Sequence, residues 1–251
     1  MARERHLNNA PIAEAIIDFR VKLSSDFKIQ KFEPLKEELR DRYPKSEESH
    51  AFEGGIEIKK GKLSSTTVKD MGLKGYFFKS ADEKQIAQFK NDGFTFNRLR
   101  PYTRWEEIIK EAKSLWEIYV DKASPELVTR IAVRYINRLE IPFKTDKFSH
   151  YLVAPPDIPA GLPSDIKVDG FFNRIVISDL KQDIKANIIQ ALEKKGADSR
   201  FLVIILDIDV YKIQDYNIDN ITIWETFEEL RNMKNHIFFN SLTDETLRLF
   251  E

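Results

Sequence analysis

From Leu127 to Ile141 the chain alternates with a period of two. Ile131, Val133, Tyr135, Asn137 and Leu139 fall on one face, and Arg130, Ala132, Arg134, Ile136 and Arg138 on the other. That pattern is a long β-strand with one apolar face and one face carrying guanidinium groups. Ile12–Leu23 has the same design, with Ala13, Ala15, Ile17, Phe19 and Val21 alternating against Ile12, Glu14, Ile16, Asp18 and Arg20. Strands of this kind belong to an antiparallel sheet that is covered on one side and solvated on the other.

The cover is written at helical spacing. Trp105, Ile108, Ile109, Ala112, Leu115, Trp116 and Tyr119 form one apolar stripe over 105–120, the mark of an amphipathic helix. Thr103 is its predicted N-cap, Glu106 the reciprocal capping partner, and Pro125 lies past its end. A last helix is predicted around 223–236, with Trp224, Phe227, Leu230, Met233 and Ile237 turned inward. Phe32, Leu35, Leu39 and Tyr43 predict another, with Pro34 in its first turn and Pro44 stopping it. Gly54-Gly55 and Gly61 punctuate a short alternating stretch around Ile56 and Ile58. Residues 75–80, 84–90 and 94–99 read as a meander, with Asn91-Asp92-Gly93 as a tight turn. Further strands are expected at 170–178 and 201–211, while 184–194 fits either a helix or a strand. Ala154–Pro163 holds four prolines and reads as a loop.

The order of elements repeats. Strand, helix, meander and Trp-led helix describe 12–120; strand, short piece, further strands and Trp-led helix describe 127–240. Ile12–Leu23 then corresponds to Leu127–Leu139, and Trp105 to Trp224. The expected fold is α+β: two pseudo-duplicated halves, 1–122 and 123–251, integrated into one domain as a large curved antiparallel sheet with helices on one face.

Bulk composition narrows the function classes. The chain has 251 residues and no Cys, so disulfides, thiolate metal sites and a thiol nucleophile are excluded. The net charge of −1 argues against a general nucleic-acid binder, which carries a basic excess. No apolar run approaches the ~20 residues that cross a bilayer. The charged start Met1-Ala2-Arg3-Glu4-Arg5-His6 lacks a signal-peptide apolar region, so no membrane association and a cytoplasmic setting are expected.

Common catalytic motifs are missing. His6, His50, His150 and His236 show no metal-binding spacing, and no nucleophile elbow, P-loop or dinucleotide fingerprint occurs. We therefore expect no catalytic residue, no metal and no cofactor. Asp207 and Asp209 admit two readings: with Glu14 as a third carboxylate they would hold Mg²⁺ for a metal-dependent phosphoesterase, or they are the solvated face of an alternating strand. The basic residues are more informative. Arg130, Arg134 and Arg138 share a strand face, and Arg98 and Arg100 close the preceding meander. Glu14, Asp18 and Arg20 share a face of the equivalent strand. Side by side, the two strands would form a charged seam of cross-strand pairs with Glu14 and Asp18 facing Arg134 and Arg138. Alternatively, the guanidinium forks present a surface for anions or an acidic partner. Trp105, Trp116 and Trp224 fit a core, or the wall of a small-molecule cavity between helix and sheet. The proline-rich loop is a surface excursion or a lid.

Several of these segments form a recognisable combination: Asn9-Ala10-Pro11-Ile12-Ala13-Glu14-Ala15-Ile16-Ile17-Asp18-Phe19-Arg20, Arg98-Leu99-Arg100-Pro101-Tyr102 with Trp105, Leu115-Trp116-x-x-Tyr119, and Arg134-Tyr135-Ile136-Asn137-Arg138. Leu206-Asp207-Ile208-Asp209 and His236–Phe238 complete it. On them the chain resembles, over nearly its full length, a sporadically distributed family of bacterial and archaeal proteins of unknown function. The resemblance implies a full-length module and supplies no mechanism. The family's patchy distribution implies, by analogy, a dispensable role such as defence or toxin–antitoxin function. The expected function is a non-enzymatic binding or interaction module for a protein partner or small ligand. The alternatives are a small-molecule binder with a cavity between sheet and helix, and the metal-dependent phosphoesterase.

Overall fold

The computed structural model describes residues 7–59, 62–142, 147–157, 159, 161–163, 168–193, 201–219 and 221–251. Nine strands build one antiparallel sheet: β1 (Ile12–Lys22), β2 (Lys45–Lys59), β3 (Lys62–Lys79), β4 (Gln85–Lys90), β5 (Gly93–Leu99), β6 (Leu127–Pro142), β7 (Phe172–Asp179), β8 (Ile184–Glu193) and β9 (Phe201–Tyr216). Their order across the sheet is β2-β3-β4-β5-β1-β6-β9-β8-β7. The two strands with guanidinium and carboxylate faces therefore lie side by side at its centre, with Phe19 opposite Phe94 of β5 and Ile131 of β6. The helices are α1 (Leu35–Glu38), α2 (Trp105–Ala123), α3 (Thr222–Ser241) and α4 (Asp244–Arg248).

The apolar face of the sheet centre is covered by α2 and α3, and aromatic rings fill the gap. Phe19 stacks on Trp116 of α2 at 4.0 Å and 6°. Phe227 and Trp224 of α3 reach the same ring edge-on at 5.0 and 5.7 Å, the geometry that ring quadrupoles favour. One side chain of β1 thus joins both helices to the sheet. Tyr43 is buried as well, and its hydroxyl donates to Glu111 of α2 at 2.7 Å.

Several expectations are corrected. The helix predicted from Phe32 to Tyr43 shrinks to a 3₁₀ turn at Ile29–Phe32 and the single turn of α1, because Leu39 sits at φ −98°, ψ 0° and interrupts the ladder. The four apolar side chains still reach the core, so irregular turns satisfy the spacing that suggested a continuous helix. Gly54 and Gly55 lie inside β2 rather than between strands, paired with Val68 and Thr67 of β3; Gly61 lies outside the described residues. The ambiguous segment is strand β8, whose pairing with both β7 and β9 settles what periodicity left open. Thr103 does not cap α2: the helix starts one residue later, on an extended Arg104 with no side-chain cap. Among the described residues, no helix is long and apolar enough to cross a membrane.

Candidate functional site

The open face of the sheet centre carries the charged residues, and most of them neutralise one another. Arg130 donates to Asp18 at 3.0 Å and to both oxygens of Asp209 at 3.0 and 3.2 Å. Arg134 holds Asp207 in a fork of 2.8 and 2.6 Å, and this bonding raises its pKa further above the ordinary arginine value. Asp18 also accepts from Thr95 at 2.7 Å and pairs with Arg20 at 3.3 Å. Arg138 sits at the rim with Glu193, 3.2 Å away, and Glu140. Glu14 accepts from Asn97 at 2.6 Å.

The seam exists, but its partners differ from those expected. Asp18 pairs with Arg130, Arg134 takes Asp207, and Arg138 meets neither Glu14 nor Asp18. The register explains this. Arg134 lies opposite Asp209 of β9, so the carboxylates of β9 compete for the guanidiniums at shorter reach than Glu14 across β1. Lys90 closes the seam on β4; burial pulls its pKa down against the opposing pull of Asp18. A concavity of about 520 Å³ runs over these groups. Asp207, Asp209 and Glu14 share this open face, yet each carboxylate is taken by a guanidinium or an amide. Among the described residues, no three His, Asp or Glu side chains converge as a metal site would require.

A second concavity, about 790 Å³, opens at the end of the helix–sheet interface. Four segments distant in sequence form it: the stretch before β1 with Asn9 and Ile12, the β5–α2 connection with Arg100 to Arg104, the centre of β6 at Asn137, and the face of α3 bearing Arg231, Lys234 and Phe238. The local structure places each of them. The Arg100 backbone N–H donates to Ala13 O at 3.0 Å, tying the connection to β1. Arg98, expected with Arg100 as a binding residue, instead turns its Nε to Pro101 O at 3.3 Å and braces the bend. Tyr102 and Tyr135 meet hydroxyl to hydroxyl at 3.1 Å, and burial pushes both phenols above their ordinary pKa. Lys234 is buried, its Nζ 4.0 Å from the centre of the Tyr135 ring, a cation–π contact strengthened by exclusion of water.

Arg231 lies over the Trp105 ring at 5.4 Å and pairs with Glu228 at 3.2 Å. Arg100 and Arg104, in contrast, are exposed and form no ion pair among the described residues. Thr103, freed from capping, lines the same space. Among the sequence-predicted binding residues only Arg100 lies here; Arg130, Arg134 and Arg138 belong to the seam. Arg104, Arg231 and Lys234 were not singled out in the sequence. One signal did exist, since Asn137 is the single amide on the apolar face of β6.

The chain matches no protein-family model and no curated protein.

Proposed function

We propose that the protein is a non-enzymatic binding module whose ligand, a small molecule or a protruding group of a partner, seats in the cleft between the β5–α2 connection and α3. The observation that carries this reading is the convergence of four sequence-distant segments on one concavity, with exposed arginines that no carboxylate among the described residues neutralises. All four segments also carry the resemblance to the sporadically distributed family, at Asn9–Ile12, Arg100–Tyr102, Asn137 and Phe238. Membership of that family, and by analogy a role in defence or a toxin–antitoxin pair, is part of the proposal.

We also propose that the two halves derive from a duplication. Outward from the centre, β1-β5-β4-β3 on one side and β6-β9-β8-β7 on the other support it, as does the closure of each half by an amphipathic helix. On this reading the seam is the joint between halves, where mutual pairing of charges serves structure.

Native mass spectrometry of the gently purified protein tests the binding reading. A bound molecule or partner should be present on the wild type, lost from Arg104→Glu and retained by Arg138→Ala. Retention by Arg104→Glu, or loss only from Arg138→Ala, overturns the assignment to the cleft.

A further inference from the structure

We infer that the cleft selects a small hydroxylated molecule that ends in an oxyanion, either a phosphate or a carboxylate. This inference rests on the cleft being the binding site and names the chemistry it takes.

Charge is the first argument. Arg100, Arg104, Arg231 and Lys234 border the cleft against one carboxylate among the described residues, that of Glu107. Arg231 is held by Glu228, and Lys234 is packed on the Tyr135 ring. Arg100 and Arg104 at the mouth have their guanidinium groups uncommitted to any described carboxylate. A planar fork of N–H donors matches the oxygens of a phosphate or carboxylate in two parallel bonds. The start of α2 faces the same mouth through Thr103, Arg104 and Glu107. Its first turn has no side-chain cap, which leaves backbone N–H groups and the positive end of a 19-residue helix on that side.

Polar detail is the second argument. Asn137 is only 1% exposed, and its amide nitrogen donates to two backbone carbonyls, Leu206 O at 2.9 Å and Tyr135 O at 3.4 Å. Both partners accept only, so the amide orientation is fixed. The oxygen is then the atom Asn137 has available to the cleft, and it can be satisfied only by a donor. A ligand hydroxyl supplies one, whereas a second oxyanion would be repelled. Asn8, Asn9 and Asn235 add further amides to the lining. The oxyanion therefore belongs at the arginine mouth and the hydroxylated body toward Asn137.

Calorimetric titration of the full chain decides the matter with four probes: glycerol 3-phosphate, glycerate, propyl phosphate and glycerol. At least one of the first two should saturate, and the stronger of them identifies the oxyanion as phosphate or carboxylate. Glycerol should not saturate at about 10 mM, the range of weak sites. Arg100→Gln with Arg104→Gln should weaken binding about tenfold or more, while Arg138→Gln leaves it unchanged. Both cleft arginines are exposed, so folding survives the change, and circular dichroism confirms it. Glycerol binding as well as glycerol 3-phosphate, with loss in the cleft variant, overturns the oxyanion and leaves the cleft as a site. Propyl phosphate binding as tightly as glycerol 3-phosphate overturns the role of Asn137. No saturation by either oxyanion, or saturation indifferent to the cleft arginines, overturns the inference outright.

Discussion

Asp18 accepts from Thr95 and Arg130 and pairs with Arg20, with its side chain only 13% exposed. Truncation would leave the half-buried Arg130 guanidinium with Asp209 alone and the buried Thr95 hydroxyl without its acceptor, and such losses cost more than the bonds contribute net. We expect Asp18→Ala to destabilise the fold by about 2–4 kcal/mol in urea titration. Asp209 behaves differently, because burial pushes its carboxyl up, against the pull of Arg130 and then Arg134. A carboxyl whose folded pKa is raised favours the folded state in its protonated form. Its contribution is present below the ordinary value of 3.8 and is lost as pH rises through the raised folded value. Asp209→Asn, neutral at every pH, should therefore fare best against the wild type at neutral pH and lose ground as the medium is acidified. Paired denaturation curves across that range check the sign. The existence of a charged seam was legible from alternation alone. Which carboxylate takes which guanidinium was not, because that depends on the register of β9, set by core packing more than a hundred residues away from β1.

Phe19 shows what alternation can and cannot convey between elements. Its place on the apolar face of β1 follows from period two, and the amphipathic stripe of α2 follows from Trp105 to Tyr119. That both helices meet on this one ring required the fold. Phe19→Ala removes the ring on which Trp116 stacks and against which Trp224 and Phe227 lie edge-on, at a cost of about 3–5 kcal/mol read from the thermal midpoint and denaturant curves. Gly93 closes the β4–β5 hairpin at φ +154°, where a Cβ would stand 1.9 Å from Phe19 O. Gly93→Ala must push β5 off β1, and we expect a loss of about 2 kcal/mol or more, seen as lowered amide protection along Phe94–Leu99. Helix ends and irregular turns were the poorly legible parts. Thr103 followed by Glu106 has the form of a capping box, yet the N-cap position falls one residue later, on Arg104, and Thr103 lines the cleft instead.

The sheet runs without a break across the boundary between 1–122 and 123–251, and the second half supplies two of the four rings around Phe19. We therefore expect neither half to complete its own core alone. We expect the fragments 1–122 and 123–251, expressed apart, to give collapsed amide proton spectra, and the native spectrum to return when both are produced together. Two folded fragments would show that the central joint contributes little. The same joint fixes an order of events on the ribosome. Asp18 and Arg130 are 112 residues apart in the chain, which at ordinary rates of synthesis separates their emergence by about 6–22 s. Throughout that interval β5 can dock on one side of β1 only, so the nascent chain carries a bare hydrophobic strand edge awaiting a partner not yet made. Whatever shields that edge in the cell, a chaperone or a pause in translation after α2, acts on a vulnerability written into the strand order.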